Sequence, residues 1–265
     1  MVLLSFDIEE FDMPFEYQKN ISFEDQISIS ITGTNIILDL LKKNSLKATF
    51  FSTVVFAKNA PEIINRIATE GHELASHGYY HSDFKNEHLL ESRLILEQLS
   101  GLPVKGYRMP RMMPVDETEI EKAGYVYNSS INPTWLPGRY NNRHISRTYF
   151  LQSGVWQLPA SVSPISRFPL FWLSFHNLPL WFYKHLVYRT YHKDNYINIY
   201  FHPWEFTDLR DKERFGFPAY VSKNSGKEMI SRMDNFMKWI NQKGYPSATI
   251  AGFMENKVIT KKIDY

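Results

Sequence analysis

Short apolar runs alternating with amphipathic segments constrain this 265-residue chain more than any other feature. VLLSFD (Val2–Asp7) is an apolar run of strand length, and KATFFST (Lys47–Thr53) is aromatic and β-branched. HELASH, VKGYRMP and YVYNSS read as the third, fourth and fifth strands. Between the first two strands lies a helix with Ile36, Ile37, Leu40 and Leu41 on one face, capped by Thr32 or Thr34. A second helix opens at Pro61, carries Ile63, Ile64 and Ile67, and ends before Gly71. A leucine-rich helix spans Asn86 to Leu99 and closes at Gly101; a short one from Val115 to Ala123 closes at Gly124. This alternation predicts a mainly parallel sheet covered by helices. In such sheets and barrels functional residues collect at the carboxyl ends of strands, where Asp7, His77, Arg108 and Asn128 all fall. Further on, Ile197–Phe206 holds a strand ending at His202. Ser225–Ile240 forms a helix with Met229, Ile230, Met233, Phe236, Met237 and Ile240 inward, and Ser247–Phe253 is a last strand. No linker rich in Pro, Gly or Ser divides the chain, so residues 1–265 are expected to form one domain.

The chain has no cysteine, so a metal can be held only by His, Asp, Glu or water. In GHELASHGYYHSDF (Gly71–Phe84), His77 and His81 stand four apart, close enough on one turn to reach a common ion. Alone the spacing is equally that of two solvated histidines on a turn. SFDIEE adds Asp7, Glu9 and Glu10; GYRMPR adds Arg108 and Arg111; YFHPWEF adds His202 and Glu205. Two histidines and one carboxylate, with positions left for water, make a hydrolytic metal site. Alternate strand residues share a face, so Asp7 and Glu9 can serve one site, one as ligand and the other as base. Zinc is the default for two nitrogens and one oxygen, and cobalt, nickel or iron also suit.

On these segments the chain resembles the NodB-homology polysaccharide deacetylases, carbohydrate esterase family four. The likeness begins at Val2 and reaches about Thr207. KATFFSTVVFAKNAPEIINRIATEGHELASHGYYH is similar to the family's second-motif region, GYRMP to its R-x-P motif, and YNSSINP to its Y-D-S-S segment. YFHPWEF resembles the late histidine motif of the branch active on bacterial exopolysaccharides. The resemblance implies a single-domain α/β fold, a distorted (β/α)7-type barrel, and hydrolysis of acetyl groups from N-acetylated amino sugars of a cell-surface polysaccharide or its lipid-linked precursor. It implies one divalent metal ion, held by His77, His81 and Glu9, with Glu10 as the alternative carboxylate. Asp7 would be the general base, Arg108 its orienting partner, the backbone N–H of Arg111 part of an oxyanion hole, and His202 the general acid.

Several positions depart from the family pattern. Ile8 stands where many members have a ligating Asp, Asn128 where Asp is common, and Gln157 where related branches have Glu. The carboxylate that orients His202 must then be Asp194, Glu205 or Asp208. A deformylase or small cyclic amidase using the same site, and a non-catalytic carbohydrate-binding protein, are the competing readings.

From Lys122 to Lys193 there is no Asp or Glu, against Lys122, Arg139, Arg143, Arg147, Arg167, Lys184, Arg189 and Lys193. Such a one-sign span suggests an anionic partner, or packing against acidic parts of the same fold. Within it, residues 166–193 form an aromatic and basic insert broken by Pro169 and Pro179. It reads either as a lid or as an interfacial element resting on a membrane. No nucleic-acid partner is expected. The N-terminus lacks a basic n-region and an apolar h-region, which points to the cytoplasm, at the inner face of the membrane if the insert binds lipid.

Overall fold

The computed structural model describes residues 1–263. One sheet dominates it, built from β1 (Val2–Ile8), β2 (Ala48–Ser52), β3 (Glu73–Ser76), β4 (Gly106–Tyr107) and β5 (Tyr127–Asn128). A small hairpin follows, β6 (Trp135–Leu136) with β7 (Tyr140–Asn141), then β8 (Phe150–Gln152), β9 (Val155–Gln157) and β10 (Ile197–Phe201). The order is β10-β1-β2-β3-β4-β5-β9-β8, parallel throughout except that β8 runs antiparallel to β9. The chain leaving β9 curls back to β10, where the Ser161 N–H donates to the Asn198 carbonyl at 2.8 Å and the Asn198 N–H to Ser161 Oγ at 2.8 Å. A distorted barrel of mainly parallel strands results, its two sides bridged by Ser161 and Asn198.

Strand periodicity sorts residues between its two faces. Val2, Leu4, Phe6 and Ile8 of β1 join Ile197, Ile199 and Phe201 of β10 in the main core beneath the helices. Leu3 points inward and meets Phe51, Ala75, Tyr127 and Tyr196, a second core plugged by Ile250, Phe253 and Met254. Those last residues correct the expected strand at Ser247–Phe253. Only Ser247 bridges Val2, and a helix runs from Ile250 to Ile263. Thr249 starts it by accepting the Gly252 N–H, while Thr49 Oγ1 and Glu73 Oε2 accept the N–H groups of Ile250 and Ala251. Side chains from two strands thus satisfy the helix's orphan donors and outweigh local β-propensity.

The first helix also differs from expectation. It spans Phe23–Lys43 and is capped by Ser22, which accepts the Asp25 N–H at 3.1 Å; Thr34 lies mid-helix. Its first half buries Gln26, Ser30, Gly33 and Thr34 as well as Ile27, a face too polar to read as a stripe. Small residues are needed there because the helix lies against the Pro203–Phe206 turn that follows His202. A Cβ on Gly33 would sit 1.9 Å from the Pro203 carbonyl oxygen. The Val54–Asn59 helix after β2 was not foreseen from the sequence; Thr53 caps it by accepting the Phe56 N–H.

Residues 166–193 form two helices, Trp172–Asn177 and Leu180–Asp194, parted by Pro179. Phe175, Tyr183 and Val187 enter the core, so the segment is an integral wall of the fold. No helix among the described residues is long and apolar enough to cross a membrane.

Gly33→Ala forces this helix away from the backbone that carries His202. Overpacking of this kind costs about 1–3 kcal/mol, more than the helix propensity that alanine gains. The thermal midpoint should fall by roughly 5 °C. An unchanged midpoint by calorimetry would mean that the helix does not set the position of the His202 turn.

Candidate active site

The carboxyl ends of β1, β3, β4 and β10 converge on one opening, and each brings an inward side chain. On β1 and its extension, Asp7 and Glu9 follow Ser5 along the inner face, all buried, while Ile8 turns outward into the main core. Glu9 therefore occupies the face that Ile8 cannot serve.

Hydrogen bonding fixes the two histidines. His77 Nδ1 lies 2.8 Å from the Arg108 carbonyl oxygen, which can only accept, so that nitrogen carries the proton. His81 Nδ1 lies 2.7 Å from Asp12 Oδ1 and is protonated for the same reason. Both Nε2 atoms turn to Glu9 Oε2, at 3.0 Å and 3.2 Å. Glu9 Oε2 is buried and has no hydrogen-bond partner. In neutral imidazoles of this tautomer the Nε2 atoms are lone pairs, so three acceptors face one another. Only a cation, or protons on the imidazoles, relieves that arrangement. Ligands about 2.0 Å from a tetrahedral ion lie roughly 3.3 Å apart, close to the separations found. The donor set thus fits a divalent ion, and Glu9, His77 and His81 would hold it. Glu10 does not join them: its Oε2 accepts from Thr53 Oγ1 at 2.5 Å, and burial raises its pKa.

The electrostatics agree. Burial alone would raise the Glu9 pKa, but with the imidazoles protonated the nearby His81 and His77 outweigh it and hold it well below the ordinary carboxylate value. For His81 burial pulls the pKa down, yet Glu9 and Asp12 outweigh it and raise it. Protons and a metal ion therefore compete for the same nitrogens.

Beside this cluster, Arg108 is fully buried and holds Asp7. Its Nη1 lies 2.6 Å from Asp7 Oδ1 and 3.0 Å from Ser5 Oγ. Nε and Nη2 donate to the carbonyl and hydroxyl of Ser129, and Phe51 faces the guanidinium from 4.0 Å. Asp7 Oδ1 is occupied, and Oδ2 faces His202 Nε2 at 4.0 Å. Asn128 and Gln157, the uncharged replacements, pair with each other at 2.9 Å behind this ion pair.

His202 begins the turn after β10. Its Nδ1 lies 3.1 Å from Glu205 Oε1, which also accepts the His202 backbone N–H at 2.6 Å. Burial lowers the His202 pKa, but the Glu205 hydrogen bond and the charges of Glu9, Glu205 and Asp7 outweigh it and raise it. Of the three orienting candidates the structure selects Glu205. Asp194 pairs with Arg147 and Asp208 with Arg210.

Arg111 sits on a left-handed turn, φ 56°, followed by Met112 at φ 52°, conformations that non-glycine residues adopt at a cost. Its side chain pairs with Asp12 at 3.2 Å and Glu16 at 2.9 Å and lines the opening. A cavity of about 300 Å³ lies above these residues. Its walls include Tyr17, Arg139, Tyr140, Phe171, Trp172, Tyr200, Trp204 and Tyr220. Trp172 stands edge-on to the His202 ring at 5.6 Å and Trp204 stacks on that ring at 4.7 Å.

Two site residues escaped the sequence reading. Asp12 carries no motif of its own, and only its spacing of three from Glu9 hinted at it. His176 lay unnoticed in the aromatic insert, although it follows Trp172 by four.

Residues 19–127 match the family model for polysaccharide deacetylases. A peptidoglycan-N-acetylglucosamine deacetylase of Bacillus cereus is 34% identical over 98 residues, which cover 34% of this chain and 34% of that protein. The chain thus spans about a third of that curated relative's length. Among solved structures, one from Mycobacterium smegmatis assigned to the polysaccharide deacetylases aligns with TM-score 0.65 at 18% identity, covering 98% of this chain and 91% of its own. The allantoinase PuuE aligns with TM-score 0.61 at 15% identity over 91% and 84%. These structural likenesses describe the fold.

Asp12 fixes the tautomer of His81 and is bonded in turn by Ser82 and Arg111. Asp12→Asn should weaken divalent-ion affinity by roughly 10–100-fold, the usual effect of losing such an outer partner. His77→Ala combined with His81→Ala should abolish binding. Elemental analysis and titration calorimetry test both, and a double variant that keeps its full metal content would dismantle the site.

Proposed function

We propose that the chain, whose residues 19–127 match the polysaccharide deacetylase family model, is a metal-dependent hydrolase of that family that removes acetyl groups from N-acetylated amino sugars. One observation carries the reading: three converging acceptors lie beside a carboxylate and an imidazole that face each other at 4.0 Å. An amide is a weak electrophile and its amine a poor leaving group. A bound divalent ion would polarise the carbonyl and acidify water.

The chain's own residues divide the proton work. Asp7, held by Arg108 through Oδ1, keeps Oδ2 free to take a proton from the attacking water. His202 delivers a proton from Nε2 to the amine nitrogen as the carbon–nitrogen bond breaks, giving acetate and the free amine. The backbone N–H of Arg111, on its left-handed turn, is our choice for stabilising the carbonyl oxygen as charge develops. The Ile8 replacement is compatible with catalysis, since Glu9 offers a carboxylate from the inner face it shares with Asp7, which weighs against a purely binding protein.

We further take the substrate to be a cell-surface polysaccharide or its lipid-linked precursor, met at the inner face of the membrane. Aromatic walls suit the apolar faces of sugar rings. On the Leu180–Asp194 helix Trp181 is 72% exposed and shares the outer face with Phe182, His185, Tyr188, Arg189 and Lys193. Trp172, by contrast, lines the pocket.

Acetate and formate release from acetylated and formylated sugars, soluble and lipid-linked, tests the reaction. Acetate release is expected, and Asp7→Asn should keep the metal while losing turnover by about 10²–10⁴. Formate as the sole product would make the protein a deformylase; opening of a small cyclic amide would make it an amidase. No acid from any substrate with metal bound would overturn the reading. Vesicles test the membrane contact. Binding to anionic vesicles should weaken with salt, by about 1 kcal/mol for each basic residue lost. Trp181→Ser should reduce the salt-insensitive part and Arg189→Gln the salt-sensitive part. Failure to sediment with such vesicles at low salt would favour a soluble glycan.

A further inference from the structure

The Trp172–Asn177 helix directs two side chains, four apart on one face, into the back of the site. Trp172 meets the His202 ring. His176, 1% exposed, places Nε2 2.9 Å from Glu205 Oε2. Glu205 is wholly buried and accepts His176 on one oxygen and the backbone and Nδ1 of His202 on the other. His176 Nδ1 is buried without a partner. A bare lone pair there is tolerable and a bare N–H is costly, so the proton sits on Nε2 and is donated to Glu205. The backbone of His176 is anchored as well, its carbonyl accepting from Asn224 Nδ2 at 2.5 Å.

We propose that His176 is a positioning residue of the proposed hydrolase, a neutral donor that keeps Glu205 ionised and aligned so that Glu205 holds His202 as the general acid. The inference rests on the proposed hydrolysis, with His202 as its acid. Three N–H donors offset the desolvation of the Glu205 carboxylate. Burial raises its pKa, and the hydrogen bonds from His176 and His202, with the charge of His202, bring it below the ordinary carboxylate value. The other groups facing this trio are Asp7 and Glu9 towards His202, and the phenol of Tyr183 towards Glu205. Trp172, Trp204 and Tyr200 close the sides as rings. Without the His176 donor the Glu205 pKa rises. Once protonated, Glu205 no longer supports the charge on His202. The acid side of the rate profile must then move to higher pH.

His176→Leu fills the space without a donor, and His176→Gln restores one. With metal content unchanged, the Leu variant should lose kcat by roughly 10–100-fold, as fits a hydrogen bond to a charged group. Its acidic limb should shift upward, and the Gln variant should recover most of both. Equal behaviour of the two variants, or a wild-type profile in the Leu variant, would reduce His176 to packing. Nitrogen-15 NMR of the wild-type imidazoles gives a second reading that needs neither turnover nor a folded variant. At neutral pH His176 should carry its proton on Nε2, the tautomer its bond to Glu205 requires. An Nδ1–H tautomer, or a protonated ring, overturns the proposal. Absence of turnover with the expected tautomer would instead count against the hydrolase reading.

Discussion

Uncompensated negative charge inside a barrel is the constraint on which the rest of the structure depends. Asp7, Glu9 and Glu205 are buried at one end of the sheet, and among the described residues Arg108 is the one fully buried guanidinium or ammonium. A buried carboxylate without a partner is costly, and removing one member of a buried pair is strongly destabilising. Each acid here has its own solution. Asp7 takes Arg108, Glu205 takes three N–H donors, and Glu9 is left facing two imidazole lone pairs. A cation would complete the set around Glu9.

The scaffold is organised to hold these groups at fixed distances. Outward residues of β1, β2 and β10 form a dense apolar core under the helices, which fixes the strands. Inward residues can then be polar: Ser5, Asp7, Thr49, Glu73, Arg108, Ser129 and Asn198 are all bonded to one another or to backbone. Gly33 lets the first helix press on the turn after His202, and Ser30 Oγ donates to the Glu9 carbonyl at 2.6 Å. The helix thereby touches the backbone of both the β1 extension that carries Glu9 and the turn that follows His202. Asp12 and Arg111 tie the loops after β1, β3 and β4 together across the opening.

Local signals carried much of this. The period-two pattern of VLLSFDIE separated Asp7 and Glu9 from Ile8, and glycines at positions 71, 101 and 124, all at positive φ, marked element ends correctly. What stayed hidden depended on tertiary partners. Thr49 and Glu73 start the C-terminal helix from two distant strands, which no window around Ser247–Phe253 reveals. The first half of the opening helix is polar because its neighbour is backbone rather than side chain. His176 lies in a run so rich in aromatic and basic residues that one histidine carries no signal, and its meaning comes from Glu205, 29 residues on. Residues 166–193 read as an insert by composition, yet Phe175 and Tyr183 are core and Trp172 is pocket wall.

The central claim is that Glu9, His77 and His81 are arranged for a cation rather than for one another. Anomalous diffraction from crystals of the metal-loaded protein, collected at the absorption edge of the ion, tests it most directly. The account predicts one strong peak about 2.0–2.2 Å from both Nε2 atoms and a Glu9 oxygen. Crystals with no peak there, in which Glu9 pairs with two protonated imidazoles under metal-replete conditions, would contradict it.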